Sequence, residues 1–338
     1  MSNEVLPQTF VASLHLEELG NSAWVVDPPS VECAILLEEM ASATLHFVCS
    51  SHERALALHE AGLTERTHFA VWPPGEQNNA LVYLPKSRAR LEATLDWCTR
   101  SVSPGGTVLL SGHKREGIKS AGKKLKERLG PATKQEFARH CSLWRATVER
   151  VAAPLPGLTY WSDPMLGSIE IASLPGAFSM GKMDAGTRLL LSCLPPLNGR
   201  VLDLACGAGP IGAWAHRNGA ESLVCADDDA LAIATCRATM QQNNIACDVR
   251  ASNGFSGVEG RFSYIVCNPP FHDGVDTRYD IGETIARDAP QFLTQGGEFW
   301  LVANRFLRFD KWLAERFVEV SQHADDGRFR VYRAARPR

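Results

Sequence analysis

The chain has 338 residues, of which 45% are hydrophobic and 22% charged, and its formal net charge is -3 at pH 7. This length is enough for two ordinary domains that each bury a core, and the charge balance excludes a globally basic protein. Charge is nevertheless uneven: residues 1–60 hold nine acids and one arginine, whereas residues 86–150 hold fifteen Lys or Arg and six acids. A polyanionic partner would therefore bind to a local basic surface.

Ten cysteines are scattered along the chain, without a C-x-x-C pair or a His/Cys spacing typical of metal ligands. We interpret them as buried free thiols in a reducing compartment, and no metal is implied. The N-terminal segment has neither the basic region nor the apolar core of a signal peptide, and no apolar run approaches the about 20 residues that a membrane helix needs. We expect a cytoplasmic monomer with no membrane partner.

Strand-like and helix-like segments alternate in the first half. Apolar runs predict strands at 45–49, 80–84, 107–110 and 141–146. Residue spacing predicts helices at 53–58, 90–101 and 117–130, the last of them strongly basic. This order is typical of α/β domains with a mainly parallel sheet.

The second half repeats that order, with segments 223–227, 264–269 and 296–302 in place of the first three strands. We interpret the chain as two copies of one α/β unit, although two unrelated α/β domains would also look alike at this level of detail. The first copy lacks a glycine loop. Leu84-Pro85-Lys86 stands where the second copy has Asn268-Pro269-Pro270.

Proline and glycine residues between 154 and 164 mark a connector between the copies. We therefore predict an N-terminal domain over 1–150, a linker over 151–165 and a C-terminal domain over 166–338. The C-terminal domain begins with a strand signal at 168–171, followed by a helix that Asp184 or Thr187 caps.

Residues 201–212 predict a strand, a tight glycine turn and the start of a helix. Gly207 and Gly209 let the backbone approach a ligand without a Cβ in the way, and the helix N-terminus offers N–H groups to an anion. Asp227 ends the next strand, where an acid binds ribose hydroxyls in nucleotide folds. A dinucleotide and S-adenosylmethionine both fit this layout.

Asp203 favours S-adenosylmethionine, because an acid at the strand tip suits the cationic amino group of a methionine moiety and would repel a pyrophosphate. Asn253, which follows the third strand, is a candidate for hydrogen bonding to adenine. Asp228 is a further cofactor candidate, although Asp228 and Asp229 also fit solvated acids at a helix start. For each of these residues, the alternative is an ordinary loop or helix cap.

Asn268-Pro269-Pro270-Phe271 follows the apolar run 262–267 and indicates the chemistry. The Asn268 side-chain oxygen and the Pro269 carbonyl can each accept one N–H of a planar amine, and the two prolines fix the backbone. Phe271 can stack on the ring that bears the amine. The alternative is an Asn-Pro turn with a core phenylalanine. His272 fits an RNA contact or a helix cap, since no catalytic base is required.

These segments resemble the bacterial ribosomal RNA guanine-N2 methyltransferases, most closely the small-subunit (16S) family. The resemblance covers nearly the whole chain and is strongest at 251–256, 260–262 and 268–274. It implies two tandem class I, Rossmann-like methyltransferase domains, of which only the C-terminal one binds S-adenosylmethionine. The implied cofactor residues are Asp203, Gly207, Gly209, Asp227 and Asn253, and the implied target-amine residues are Asn268, Pro269, Pro270 and Phe271.

Ala205 departs from the family pattern, which has glycine there. Alanine is small, so we expect a tolerated change unless this position needs a positive φ. We retain Ala205 among the cofactor-binding candidates because it lies in the loop that approaches the cofactor.

The expected activity is S-adenosylmethionine-dependent methylation of a guanine N2 amine, with 16S rRNA or the small ribosomal subunit as partner. A 23S rRNA guanine-N2 methyltransferase shares the signature, and residues 302–305 resemble it slightly more. Three rival functions are a protein-glutamine N5 methyltransferase, a non-catalytic RNA-binding assembly factor and a nicotinamide dehydrogenase. The basic first domain, the intact loops and Asp203, respectively, disfavour these three.

Lys119, Lys123 and Lys126 are spaced three and four apart on the basic helix of the first domain. We predict that they bind RNA phosphates, with Lys124 and Arg128 widening the surface, and that this domain does not catalyse. The alternative is a solvated helix face.

Overall fold

The computed structural model describes residues 6–149, 154, 155, 157–269 and 275–338. The chain forms two compact units, Met1–Gly157 and Leu158–Arg338. None of the described helices is both long and apolar enough to span a bilayer. Eight of the ten cysteines are buried, in agreement with their interpretation as core residues.

Unit 1 contains a seven-stranded sheet with the strand order β3-β2-β1-β4-β5-β7-β6. Its strands are β1 (Ser22–Val26), β2 (Thr44–Cys49), β3 (Thr67–Phe69), β4 (Asn79–Tyr83), β5 (Thr107–His113), β6 (Ala132–Ala138) and β7 (Cys141–Thr147). Its α-helices are α1 (Pro7–Ser13), α2 (Val31–Met40), α3 (His52–Leu58), α4 (Arg88–Ser101) and α5 (Ile118–Arg128). The strands β1 to β5 pair in parallel with one another, and β7 is antiparallel to both β5 and β6.

Unit 2 contains a second seven-stranded sheet with the order β12-β11-β10-β13-β14-β16-β15. A two-stranded sheet of β8 (Thr159–Ser162) and β9 (Glu170–Ser173) precedes it. The strands are β10 (Gly199–Leu204), β11 (Ala220–Asp227), β12 (Asp248–Ala251), β13 (Phe262–Cys267), β14 (Leu293–Asn304), β15 (Phe317–Asp325) and β16 (Phe329–Pro337). The α-helices are α6 (Ala185–Cys193), α7 (Pro210–Arg217), α8 (Ala230–Gln242), α9 (Val275–Asp288) and α10 (Phe309–Arg316).

The central strands of each sheet are apolar on both faces because helices cover both sides, whereas the edge strands β6 and β15 are largely exposed. In β10, Val201 belongs to one buried cluster and Leu202 to another, since successive strand residues point to opposite faces. In β1, Val25 and Trp24 divide in the same way between two clusters. These continuous apolar runs explain why the sequence predicts buried strands.

The two strand orders are identical once numbered within each unit, so β1, β2, β4 and β5 correspond to β10, β11, β13 and β14. The predicted α/β repetition and the tandem fold class are therefore confirmed. The predicted linker 151–165 needs a correction at its C-terminal side. Residues Thr159–Ser162 pair in an antiparallel ladder with Glu170–Ser173 and so belong to the second unit.

The chain leaves β10 toward β11 and β12, and later returns to place β13 on the other side of β10. A crevice is expected at this switch point, at the carboxyl edge of the sheet between the ends of β10 and β13. This switch point is where the sequence places its glycine turn and its Asn-Pro-Pro segment.

Candidate active site

The glycine loop after β10 takes a conformation that demands small residues. Gly207 and Gly209 have φ values of 54° and 82°. A Cβ on Gly209 would lie 2.8 Å from Cε of Met240 and 2.9 Å from Sγ of Cys236. The Cys206 N–H donates to the Ala226 carbonyl at 3.0 Å, which ties the loop to the end of β11. Glycine at 209 is therefore required by both backbone angle and space.

Ala205 is the first residue after β10 and has a φ of 59°. The position does require positive φ, so the expectation of a tolerated change needs a correction. A left-handed conformation costs a residue with a Cβ about 1–2 kcal/mol. The loop therefore carries backbone strain at the wall of the crevice.

Asp227 ends β11 and bridges two loops through its carboxylate. Oδ2 accepts the N–H of Gly207 at 2.9 Å, and Oδ1 accepts the N–H of Asp229 at 2.9 Å. Burial raises the pKa of Asp227 to about 7, although both backbone donors favour the ionised form. Each carboxylate oxygen has a second lone pair, so the side chain can still accept a ribose hydroxyl.

Asp203 lies inside β10 and is fully buried. Its Oδ2 accepts the N–H of Gly212 in the first turn of α7 at 2.8 Å, while Oδ1 has no hydrogen-bond partner among the described residues. Burial raises the pKa of Asp203 well above its usual range. Asp203 is not on the crevice wall, which corrects our expectation of a directly attracting charge. Its geometry supports an indirect role in holding the N-terminus of α7.

Asn253 and Asp228 lie at the same carboxyl edge. Asn253 is exposed two residues after β12, and its carbonyl accepts the Ser256 N–H at 3.1 Å. Asp228 follows β11 and is partly exposed. Neither residue is among those that line the crevice. Their cofactor contacts stay predictions.

The Asn268 side chain is fixed in one orientation. Its Nδ2 donates to Oγ1 of Thr187 at 2.8 Å and to Oδ2 of Asp184 at 3.1 Å. Asp184 caps α6 by accepting the Thr187 N–H at 2.9 Å. The Asn268 Oδ1 is buried and has no hydrogen-bond partner among the described residues. Because the amide nitrogen is anchored, a free acceptor is left at the crevice.

The crevice is a narrow one at the carboxyl edge of the sheet of unit 2. Its lining comes from β8, the segment before α6, the glycine loop and the end of β13. These residues are Trp161, Phe178, Ser179, Lys182, Asp184, Thr187, Ala205, Cys206, Gly207, Ala208, Pro210, Ile211 and Asn268. Sequence reasoning identified the glycine loop and Asn268, but it treated Asp184 and Thr187 only as helix caps.

Trp161 and Lys182 were missed as site residues. Trp161 lies on β8, within the predicted linker, and no local pattern places it beside the glycine loop. Lys182 gives no sequence signal at all. Among the described residues, no group of three or more His, Cys, Asp or Glu side chains is arranged to hold a metal ion.

Pro269 is buried directly after Asn268. Pro270, Phe271 and His272 lie outside the described residues, so their predicted contacts with the substrate stay predictions.

The basic helix α5 presents Lys119, Lys123 and Lys126 to solvent. Lys124 instead pairs with Glu127 at 2.6 Å, and Arg128 pairs with Asp96 at 2.6 Å. These ion pairs disfavour the prediction that Lys124 and Arg128 widen the RNA surface, which stays a prediction. The other three lysines have no ion pair with an acid in the part of the chain that the structure describes.

The chain matches two family models. Residues 168–333 match the Methyltransferase small domain, and residues 14–163 match the Methyltransferase small domain N-terminal. Together with the glycine loop and the Asn268 crevice, these matches define an S-adenosylmethionine-dependent methyltransferase with two tandem domains.

Relatives define the family more narrowly. The chain is 39% identical to ribosomal RNA small subunit methyltransferase C of Pseudomonas putida, over 84% of this chain and 88% of the relative. It is 32% identical to the protein of the same name from Shewanella loihica, over 96% of this chain and 97% of the relative. The protein belongs to the ribosomal RNA small subunit methyltransferase C family.

A solved structure supports the same assignment. The chain resembles the 16S rRNA N2 G1207 methyltransferase of T. thermophilus, solved in complex with AdoMet (S-adenosylmethionine) and guanosine. The TM-score is 0.87 at 26% identity, covering 98% of this chain and 92% of that one.

Proposed function

We propose that this chain transfers a methyl group from S-adenosylmethionine to the N2 amine of a guanine in 16S rRNA. The observation that carries the proposal is the anchored Asn268 amide, whose buried Oδ1 has no hydrogen-bond partner among the described residues. An acceptor fixed in this way suits an amine that must donate an N–H. The small-subunit relatives and the guanosine-bound neighbour support 16S rRNA over 23S rRNA.

The residues present fit the cofactor. At Gly207 no atom lies within 4 Å of the position that a Cβ would take, which leaves room for a close backbone approach, while Gly209 lets the loop pack against Cys236 and Met240. The Asp227 carboxylate retains acceptor capacity for ribose hydroxyls. Asp203 accepts a hydrogen bond from the first turn of α7 and so fixes the position of the glycine loop that precedes this helix. When bound, S-adenosylmethionine supplies an electrophilic methyl group on a sulfonium. We retain Asn253 and Asp228 as cofactor contacts at the rim.

Asn268 and Pro269 orient the target amine. If Asn268 Oδ1 and the Pro269 carbonyl each accept one N–H, the nitrogen lone pair is directed away from both acceptors. The nitrogen then forms its new bond to the methyl carbon as the carbon–sulfur bond breaks, and it afterwards releases a proton to solvent. The enzyme contributes chiefly positioning and exclusion of water.

The crevice walls suit a base that has been rotated out of its stack. Trp161 and Phe178 are flat apolar surfaces that line the crevice, and enzymes that modify bases commonly hold the extruded base against such side chains. Pro270 and Phe271 complete this pocket in the proposal, with Phe271 stacked on the guanine.

The two units have different proposed roles. We propose that unit 2 catalyses, while unit 1 contributes RNA affinity through the exposed face of Lys119, Lys123 and Lys126 and has no catalytic role. The small ribosomal subunit, or its rRNA, is the proposed partner of a cytoplasmic monomer.

The test is methyl transfer from isotopically labelled S-adenosylmethionine to purified 16S and 23S rRNA taken from a strain that lacks this protein. Nucleoside digestion followed by mass spectrometry should give labelled N2-methylguanosine from 16S rRNA alone. Label on another atom of guanine, or in 23S rRNA only, would refute the proposal.

A further inference from the structure

Unit 1 has a cleft of its own, which the proposed function does not use. It is lined by His113, Lys114, Arg115 and His140. All four side chains are basic or can become so, and no acid among the described residues lines the cleft. We name this feature the basic cleft.

Two elements build the basic cleft. His113 ends β5, and Lys114–Glu116 form a short 3-10 helix directly after it. His140 lies in the two-residue turn between β6 and β7. The Lys114 N–H donates to the His140 carbonyl at 2.8 Å, so the turn and the 3-10 helix are held together.

The turn between β6 and β7 carries strain. Arg139 and His140 have φ values of 49° and 64°, and a two-residue hairpin turn with two positive φ values favours Asn-Gly. Two side chains with a Cβ cost about 1–2 kcal/mol each in that conformation. The Arg139 guanidinium lies 4.5 Å above the centre of the Phe10 ring, which helps to hold the turn. Backbone strain that persists in a folded protein often occurs at functional sites.

The charge of the cleft is not neutralised. Glu116 is the neighbouring acid, and its Oε2 accepts the His113 N–H at 3.1 Å. Within the residues that the structure describes, no ion pair joins Lys114, Arg115 or His140 to an acid. Lys124 and Arg128, by contrast, are paired with acids of the helices α4 and α5.

A free nucleotide is a poor occupant for unit 1. The loop after β1 reads Asp27-Pro28-Pro29, so it lacks the glycines and two of the N–H groups that would approach a phosphate closely. The basic cleft instead presents Lys114 and Arg115 to solvent, and α5 (Ile118–Arg128), which carries the exposed Lys119, begins three residues after Arg115. This concentration of exposed positive charge suits an extended polyanion.

We propose that the basic cleft binds the phosphodiester backbone of the rRNA substrate, which rests on the proposed function. Arg115 offers a planar fork of donors for a phosphate, Lys114 offers a point charge, and the two imidazoles add further N–H donors. Contacts of this kind position RNA without reading its sequence. The cleft therefore sets affinity for rRNA, and unit 2 selects the base.

The test compares two double variants of the full chain. Lys114→Met with Arg115→Met removes two charges from the cleft. Lys134→Met with Lys311→Met removes two charges from exposed positions elsewhere, as a matched control. Dissociation constants for a labelled 16S rRNA fragment are measured by fluorescence anisotropy between 50 and 200 mM salt, a range over which phosphate contacts change affinity by orders of magnitude, roughly 10³-fold or more for six contacts.

The cleft variant should bind RNA at least about tenfold more weakly, with a salt slope reduced by roughly 1.5, because each lost phosphate contact accounts for about 0.7–0.9. The control should change affinity less than about twofold, and both variants should keep wild-type affinity for S-adenosylmethionine. Equal RNA affinities for the cleft variant and the wild type would overturn the proposal, as would equal losses in both variants.

The same proteins separate this proposal from the proposed function. If the wild type methylates rRNA but the cleft variant binds it normally, the cleft proposal fails and the proposed function stands. If the cleft variant loses RNA affinity while the wild type makes no N2-methylguanosine, the proposed function fails and the RNA site in unit 1 stands.

Discussion

The two units share one sheet topology and differ in the loop that follows the central strand. After β10, the chain continues through Ala205 to Gly207 and Gly209, and after β1 it continues through Asp27 and two prolines. The first residue after the strand has positive φ in both units, 59° at Ala205 and 51° at Asp27. The backbone path is therefore similar at its start, and only the later residues decide whether a ligand can approach.

In both units, a carboxylate forms a hydrogen bond between the ends of two neighbouring strands. The strand that supplies the acid differs between the two units. In unit 2, Asp227 at the end of β11 accepts the N–H of Gly207 in the loop after β10. In unit 1, Asp27 in the loop after β1 accepts the N–H of Ser50 after β2 at 2.7 Å. The acid therefore occupies the loop in unit 1 and lies beside it in unit 2. Function depends on this local difference and not on the shared fold.

The largest effect is expected at Asn268. The corresponding position in unit 1, after β4, is Leu84, which has no amide to orient an amine. Asn268→Ala should reduce kcat for rRNA at least about a hundredfold, the usual scale for loss of a positioned polar group. S-adenosylmethionine affinity, measured by calorimetry, should stay at the wild-type value. Near-normal turnover in this variant would place the chemistry elsewhere.

A smaller effect is expected at Asp227. The acid that links the strand ends in unit 1, Asp27, has a structural role only. The pKa of Asp227 is raised to about 7, and the ionised form is the better acceptor for ribose hydroxyls. S-adenosylmethionine affinity should therefore fall as pH drops, by about tenfold between pH 8 and pH 6 if only the ionised form binds. Calorimetry at several pH values measures this.

Asp227→Asn is the control for that series, since the cofactor's own amino group also titrates in this range. The variant should bind more weakly at pH 8 and lose the part of the pH dependence that Asp227 causes. An identical pH profile for variant and wild type would exclude Asp227 as the titrating group.

A third effect concerns the anchor of the Asn268 amide. Thr187→Val keeps the shape but removes the hydroxyl that accepts Nδ2 at 2.8 Å. Loss of this hydrogen bond, worth about 1 kcal/mol, should reduce kcat about fivefold without changing S-adenosylmethionine affinity. Thr187→Ser should restore kcat. A Ser variant as slow as the Val variant would show that packing, and not the hydroxyl, matters here.

The smallest effect compares the two positive-φ residues directly. Ala205→Gly should raise the free energy of unfolding by about 1 kcal/mol, because glycine adopts this conformation without a Cβ penalty. Asp27→Gly also relieves the backbone but loses the hydrogen bond to Ser50, so it should give no gain. Chemical denaturation measures both. Equal stabilisation by the two variants would contradict the structural role given to Asp27.

The sequence predicts the order of elements and the crevice edge well, because buried parallel strands leave continuous apolar runs and a glycine turn leaves a distinctive spacing. It does not reveal β1 as a strand, although Ser22–Val26 is central in the first sheet. That strand is five residues long, and Asp-Pro-Pro follows it in place of a glycine turn.

Several features depend on tertiary structure and have no local signal. The pairing of Arg128 with Asp96 joins α5 to α4 across 32 residues, and the burial of Asp203 depends on how α7 packs against β10. The positive φ of Ala205 cannot be read from the residue type, since alanine usually avoids it. Trp161 reaches the crevice through a strand that sequence reasoning assigned to a linker.

The central claim is that the fold is duplicated but the cofactor site is not. Calorimetric titration of the full chain with S-adenosylmethionine tests it most directly. The account predicts one bound cofactor per chain, and binding that Asp227→Ala weakens by about 1–3 kcal/mol. Two bound cofactors per chain, or one whose affinity Asp227→Ala leaves unchanged, would contradict it.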